Sequence, residues 1–174
     1  PFTYAFYETR LIRRSNWLNR SMGGVAYGRN MNYLEHLLLP NEESARALQQ
    51  SNTSSKKEEE KLKSEGKLFE KDQGLDLEAR EKEWAEYWFD ATTESGERIR
   101  TRVSGKDGYD ETAHLSVELA LLTSERRDEL PFSGGVLTPG IAGGQPFIDA
   151  LNETGLKFEV VADNELPDLS RLVK

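Results

Sequence analysis

The sequence predicts an α+β fold, a mostly antiparallel sheet with helices packed on one face, and three observations predict it. Aromatic residues crowd WAEYWFD, the turn TESGE follows, and IRTRV alternates, which together describe a β-hairpin. ETAHLSVELALL carries a broad apolar stripe at helical spacing. QPFIDALNETGL has Pro146 near its first position and Gly155 at its end, and KFEVV then reads as a terminal strand.

In chain order, PFTYAFYET opens directly on apolar and aromatic residues, as though mid-domain. TRLIRRSNWLNRS follows as a helix, with Leu11, Ile12 and Leu18 on one face, Arg13, Arg14 and Arg20 mostly off it, and Gly23 and Gly24 ending it. YGRNMNYLEHLLLP alternates loosely up to Pro40, and a strand or a short helix fits it equally. Residues 1–40 therefore form a first segment of the fold, and 75–174 the hairpin, helix, Gly-rich loop, helix and final strand. Between them, 41–74 is a charged insertion. NEESARALQQ makes a short helix, whereas SNTSSKKEEEKLKSEGK has almost nothing to bury and is expected to be mobile, with a solvated helix as the alternative.

In the hairpin, Ile99, Thr101 and Val103 are expected to point inward and Arg100 and Arg102 toward water, with Trp84 and Trp88 in the core. In the long helix, Ala113, Val117, Ala120 and Leu121 form one stripe, widened by Leu115, Leu119 and Leu122. That breadth implies burial on more than one side.

Composition narrows the function. The 174 residues are 36% hydrophobic and 31% charged, with a net charge of −8. Such acidity argues against nucleic acid as a partner, because phosphate affinity needs clustered cations. The charge is uneven. Residues 1–31 hold five arginines against Glu8 alone, which keeps an anionic ligand open, although solvated surface arginine is the commoner reading. Without cysteine there is neither a disulfide framework nor a thiol nucleophile, and with two histidines a structural zinc site lacks ligands. No apolar stretch approaches membrane-spanning length, so the chain reads as soluble, intracellular and cytoplasmic, with mitochondrial or lipid-droplet association left open.

No Gly-x-Gly-x-x-Gly, no Gly-x4-Gly-Lys-Ser/Thr and no Gly-x-Ser-x-Gly occurs. Two segments remain as cleft or interface candidates. RVSGKDGYDET runs from a strand through Gly105 into a helix, with Tyr109 and Thr112 in its first turn. Its amides can hold an anion, although a glycine-dependent turn is the commoner case. SGGVLTPGIAGG places Gly134, Gly135 and Thr138 where backbone can approach a ligand or another domain, with internal packing as the commoner reading. His114 is read as a hydrogen-bonded core histidine, and no catalytic residue is assigned.

These segments carry a resemblance. RLIRRSNWL with YGRNMNY, the stretch from EAREKEWAEYWFD to ELALL, and SGGVLTPGIAGGQPFIDALNETGLKFEVV are similar in order to the saccharopine dehydrogenase-like oxidoreductases, including the trans-acting enoyl reductases. The resemblance covers residues 1–40 and about 75–161. It implies the C-terminal part of a two-domain enzyme, in which an N-terminal Rossmann domain binds NAD or NADP and this part builds the substrate cleft. The chain alone is then expected to bind no cofactor and to be inert. Its expected partners are that missing Rossmann domain and a homo-oligomer or larger assembly. The charged 41–74 departs from the apolar or membrane-associating stretch of many relatives, which puts membrane association in doubt. A second reading is a non-catalytic interaction or structural subunit derived from the same family.

Overall fold

The computed structural model describes residues 4–51, 56–65 and 74–172. The chain divides into two units, one of Pro1–His36 with Lys82–Glu165, the other of Leu37–Glu81 with Leu166–Lys174.

The first unit begins with helix α1, Ala5–Ser21. Leu18 and Ser15 are buried on one face, and the helix closes where the Gly24 amide reaches back to the Asn19 carbonyl past Gly23 at positive φ. The following segment up to His36 forms neither helix nor strand, so neither reading describes it. Its alternation is real nonetheless: Met31, Tyr33 and Glu35 are half-buried, while Asn32, Leu34 and His36 are exposed.

The predicted hairpin is present as β1, Ala85–Thr92, and β2, Arg98–Gly105, and β3, Lys157–Val161, adds to the other edge of β2. Both pairings are antiparallel, giving a three-stranded sheet beside helices. Helix α5 spans Gly108–Glu125 and α6 spans Pro139–Thr154. (Helices α2, Glu42–Ser51, α3, Lys56–Ser64, and α4, Leu77–Arg80, belong to the second unit.) Leu122 of α5 and Phe147, Ala150 and Leu151 of α6 bury a core with Leu156, and Val103 and Phe158 of the sheet pack against it.

Three sequence expectations need correction here. Burial along α5 follows Leu115, Leu119 and Leu122, but Val117 is 56% and Leu121 44% exposed. The stripe of Ala113, Val117, Ala120 and Leu121 therefore faces outward, and the residues expected only to widen it are the ones the core covers. In β2, Ile99 is 49% exposed while the Arg100 and Arg102 side chains are 13% and 27% exposed. The arginines do lie on the face away from the core, but carboxylates directly across the strands cover them: Asp90 opposite Arg100 and Glu159 opposite Arg102. Trp88 lies on that same charged face under the Arg102 guanidinium, outside the core. The core-facing side of the sheet outruns the helices, leaving Tyr87, Phe89, Ile99 and Val160 exposed.

Helix α6 also starts earlier than predicted. Pro139 follows Thr138 at its beginning, so PGIAGG is helical rather than loop, and the chain kinks at Gly144 before Pro146. The kink is what makes QPFIDALNETGL look like a separate helix in the sequence.

In the second unit, helices α2, Glu42–Ser51, α3, Lys56–Ser64, and α4, Leu77–Arg80, are short. NEESARALQQ is helical as expected, and the Glu42–Arg46 pair braces it at one-turn spacing. Of the stretch expected to be mobile, residues 52–55, 66 and 67 lie outside the described residues. No helix among the described residues is long and apolar enough to cross a membrane.

Candidate functional site

Helices α5 and α6 run antiparallel, with His114 near the start of one reaching Thr154 at the end of the other. This separates the six candidate residues. Gly105, Tyr109 and Thr112 lie at one end of the helical pair, Gly134, Gly135 and Thr138 beside the other, and α5 alone is about 27 Å long at 1.5 Å per residue. They do not converge on one cleft.

At the first end, the amides of the strand-to-helix junction are already taken. The Asp107 carboxylate accepts from the amides of Tyr109 and Asp110, and Glu111 accepts from that of Lys106 at 2.8 Å. A junction capped by its own carboxylates repels an added anion, so the anion-cradle reading is not met here. Gly105 is required for packing, since a Cβ there would lie 2.5 Å from Leu156 Cδ1 and 2.8 Å from Glu111 Oε1. Tyr109 is 85% exposed, and Thr112 bonds its own helix at the Gly108 carbonyl.

At the other end, Thr138 is buried and its hydroxyl meets that of Ser15 at 2.7 Å, pinning α1 to the start of α6. Gly135 has φ +133, and Val136 beside it is 89% exposed. This loop presents itself to solvent.

Sequence reasoning missed two polar groupings. In the first, Glu111 Oε2 lies 2.9 Å from His114 Nδ1, and His114 Nε2 lies 2.6 Å from the Thr154 hydroxyl. Burial pushes the Glu111 pKa up, but the Lys106 amide, the His114 ring and the Lys106 charge outweigh it and hold the carboxyl below its usual range. A carboxylate–imidazole–hydroxyl line is the arrangement that activates a nucleophile. Here the hydroxyl sits on the last turn of α6, where carbonyls face outward, and the nearby amides of Gly155 and Leu156 both bond the Leu151 carbonyl. Among the described residues these adjacent amides are not free to stabilise an oxyanion, and the line joins the two helices as a clamp. The i, i+3 spacing of Glu111 and His114 was legible; the partner forty residues on was not.

In the second grouping, Glu35 comes under the influence of Tyr33 and Glu8. One Glu35 carboxylate oxygen is buried without a hydrogen-bond partner. Burial first, and then the Glu8 charge, raise its pKa, against a smaller lowering by Tyr33.

The described residues do not fit a dinucleotide. The sheet is antiparallel, no Gly-rich turn joins a strand to an open helix N-terminus, and the α5 amides are occupied.

Over 71 residues, 40% of this chain, the sequence is 39% identical to the saccharopine dehydrogenase-like oxidoreductase of Bos taurus. The proteins of that name from Rattus norvegicus and Homo sapiens are 38% and 37% identical over the same length. The chain resembles the saccharopine dehydrogenase-like oxidoreductases. The match spans 17% of the length of each of these relatives. No protein-family model matches the sequence, and no solved structure matches it.

Proposed function

We propose that this chain is the C-terminal substrate and interface portion of an NAD(P)-dependent saccharopine dehydrogenase-like oxidoreductase, inert by itself. The nucleotide is bound elsewhere in the complete protein, by a Rossmann domain. The observation that carries this reading is the 37–39% identity to oxidoreductases of that name. Surface chemistry supports it. The sheet end at Tyr87, Phe89, Ile99 and Val160, the outer stripe of α5 at Val117 and Leu121, and Val136 all expose apolar side chains. These exposed apolar faces are read as contacts with another domain or subunit, and ligand sites prefer such junctions.

Fluorescence titration with NADH and NADPH tests the proposal. Saturable binding is expected for the complete protein and none for residues 1–174. Binding by neither would favour the non-catalytic subunit, and binding by this chain alone would overturn the division of labour. Val136→Asp is the suitable interface probe, because Gly135→Val would strain a backbone at φ +133. It should weaken domain association in the complete protein while leaving the melting temperature of this chain within about 1–2 °C, as expected for a surface change.

A further inference from the structure

The outer face of α1 carries Arg13, Asn16, Trp17 and Arg20, and the loop after the helix folds back to place Arg29 and Met31 against it. Together these six residues line a cleft of about 280 Å³. The loop is tethered rather than draped. Asn16 donates to the Gly28 carbonyl at 2.8 Å and accepts from the Tyr27 amide at 2.7 Å, and Arg20 donates to the same carbonyl at 3.0 Å.

None of the three arginines in this cleft has a carboxylate partner among the described residues. The contrast within the molecule is informative, since Arg46, Arg100, Arg102 and Arg126 each hold one. The chain has 31 acidic residues and a net charge of −8, so carboxylates are plentiful in the sequence. Neighbouring Arg14 stacks on Trp17 at 4.5 Å and adds a fourth positive charge.

We propose that this cleft binds a phosphate group. Guanidinium forks match tetrahedral oxyanions with paired hydrogen bonds, and three of them outweigh the charge of a phosphate dianion. The tethered loop has already met the ordering cost, which otherwise weakens binding. At about 280 Å³ the cleft lies just below the range of ~300–1,000 Å³ typical of sites for drug-sized ligands. It suits a phosphate and the first atoms of whatever bears it, with Trp17 and Met31 as the apolar wall. The bearer is either a soluble phosphate ester or the headgroup of a phospholipid.

The test uses the 174-residue chain. Sodium pyrophosphate is titrated calorimetrically at low ionic strength, and phosphatidic acid vesicles are compared with phosphatidylcholine vesicles by co-sedimentation. Saturable binding is expected in at least one arm. Arg13→Gln and Arg29→Gln should each weaken it about tenfold, the effect of losing one charge-assisted hydrogen-bonding group, with melting temperature unchanged. Arg98→Gln, an exposed arginine on the sheet away from the cleft, should leave it unaltered. Binding of pyrophosphate supports a soluble ligand, and binding of phosphatidic acid alone supports a lipid headgroup. Absence of saturable binding in both arms overturns the proposal. So does an equal loss in Arg98→Gln, because binding would then be general attraction to surface charge.

Discussion

Two glutamates show how position decides what a carboxylate does to stability. Glu35 has its pKa raised by burial and by Glu8, so the native state takes up its proton before the unfolded chain does as pH falls. Its ionised form therefore costs stability at neutral pH, and the cost disappears on acidification. Glu35→Gln is expected to raise the melting temperature at pH 7 by about 2 °C, an effect of under ~1 kcal/mol, and to make no difference near pH 4. Thermal melts at the two pH values check this. Glu111 is the opposite case. Its pKa is held low against burial by Lys106 and His114, so its contribution is complete above the ordinary carboxylate range and is lost as pH falls through the lowered folded value. Glu111→Gln should cost on the order of 1–2 kcal/mol at pH 7 by urea denaturation, with the gap narrowing in acid. A gap that widened in acid would reverse the sign argued here.

At the scale of elements, α6 concentrates the demands on backbone. Gly144 lies at φ 55 and ψ −146, a conformation open essentially to glycine, and a Cβ there would be 2.8 Å from the stiff Pro131 ring. Gly140, four residues earlier in the same helix, has nothing within 4 Å. Gly144→Ala is expected to destabilise by about 1–3 kcal/mol, whereas Gly140→Ala should be neutral or stabilise by up to ~1 kcal/mol. Equal effects in chemical denaturation would mean that the kink carries no strain. The helix itself was legible from Pro146 and Gly155. Its true start was not, because five glycines in eleven residues read as loop unless a tertiary partner is known. The partner is α1, whose buried Ser15 meets Thr138.

For the molecule as a whole, the core is small. Leu18, Leu122, Ile141, Phe147, Ala150, Leu151 and Leu156 are the buried apolar residues among those described, and Leu151 is 1% exposed. Leu151→Ala should therefore cost about 2–5 kcal/mol, a large share of the ~5–15 kcal/mol that holds a typical domain folded. Loss of the cooperative melt is the expected reading, and a shift of less than a few degrees would show that the site collapses around the cavity. The exposed apolar residues of the sheet end and α5 are equally a whole-molecule property. They are surface in this chain and are proposed to be interface in the complete protein.

Local chemistry by itself determined the hairpin, the order of the elements, the helix ends at Gly23 and Gly155, and the segments that resemble the oxidoreductases. Alternation, turn residues and caps act over a few neighbours, so they survive without knowledge of the fold. Tertiary structure alone decided which stripe of α5 is covered, why Arg100 and Arg102 are shielded, and why Gly105 admits no side chain. It also brought Thr154 to His114 and Arg29 to Arg13. Periodicity defines faces without saying which face finds a partner. That choice belongs to contacts between distant residues, such as Arg102 with Glu159 across β2 and β3, and no local pattern encodes them.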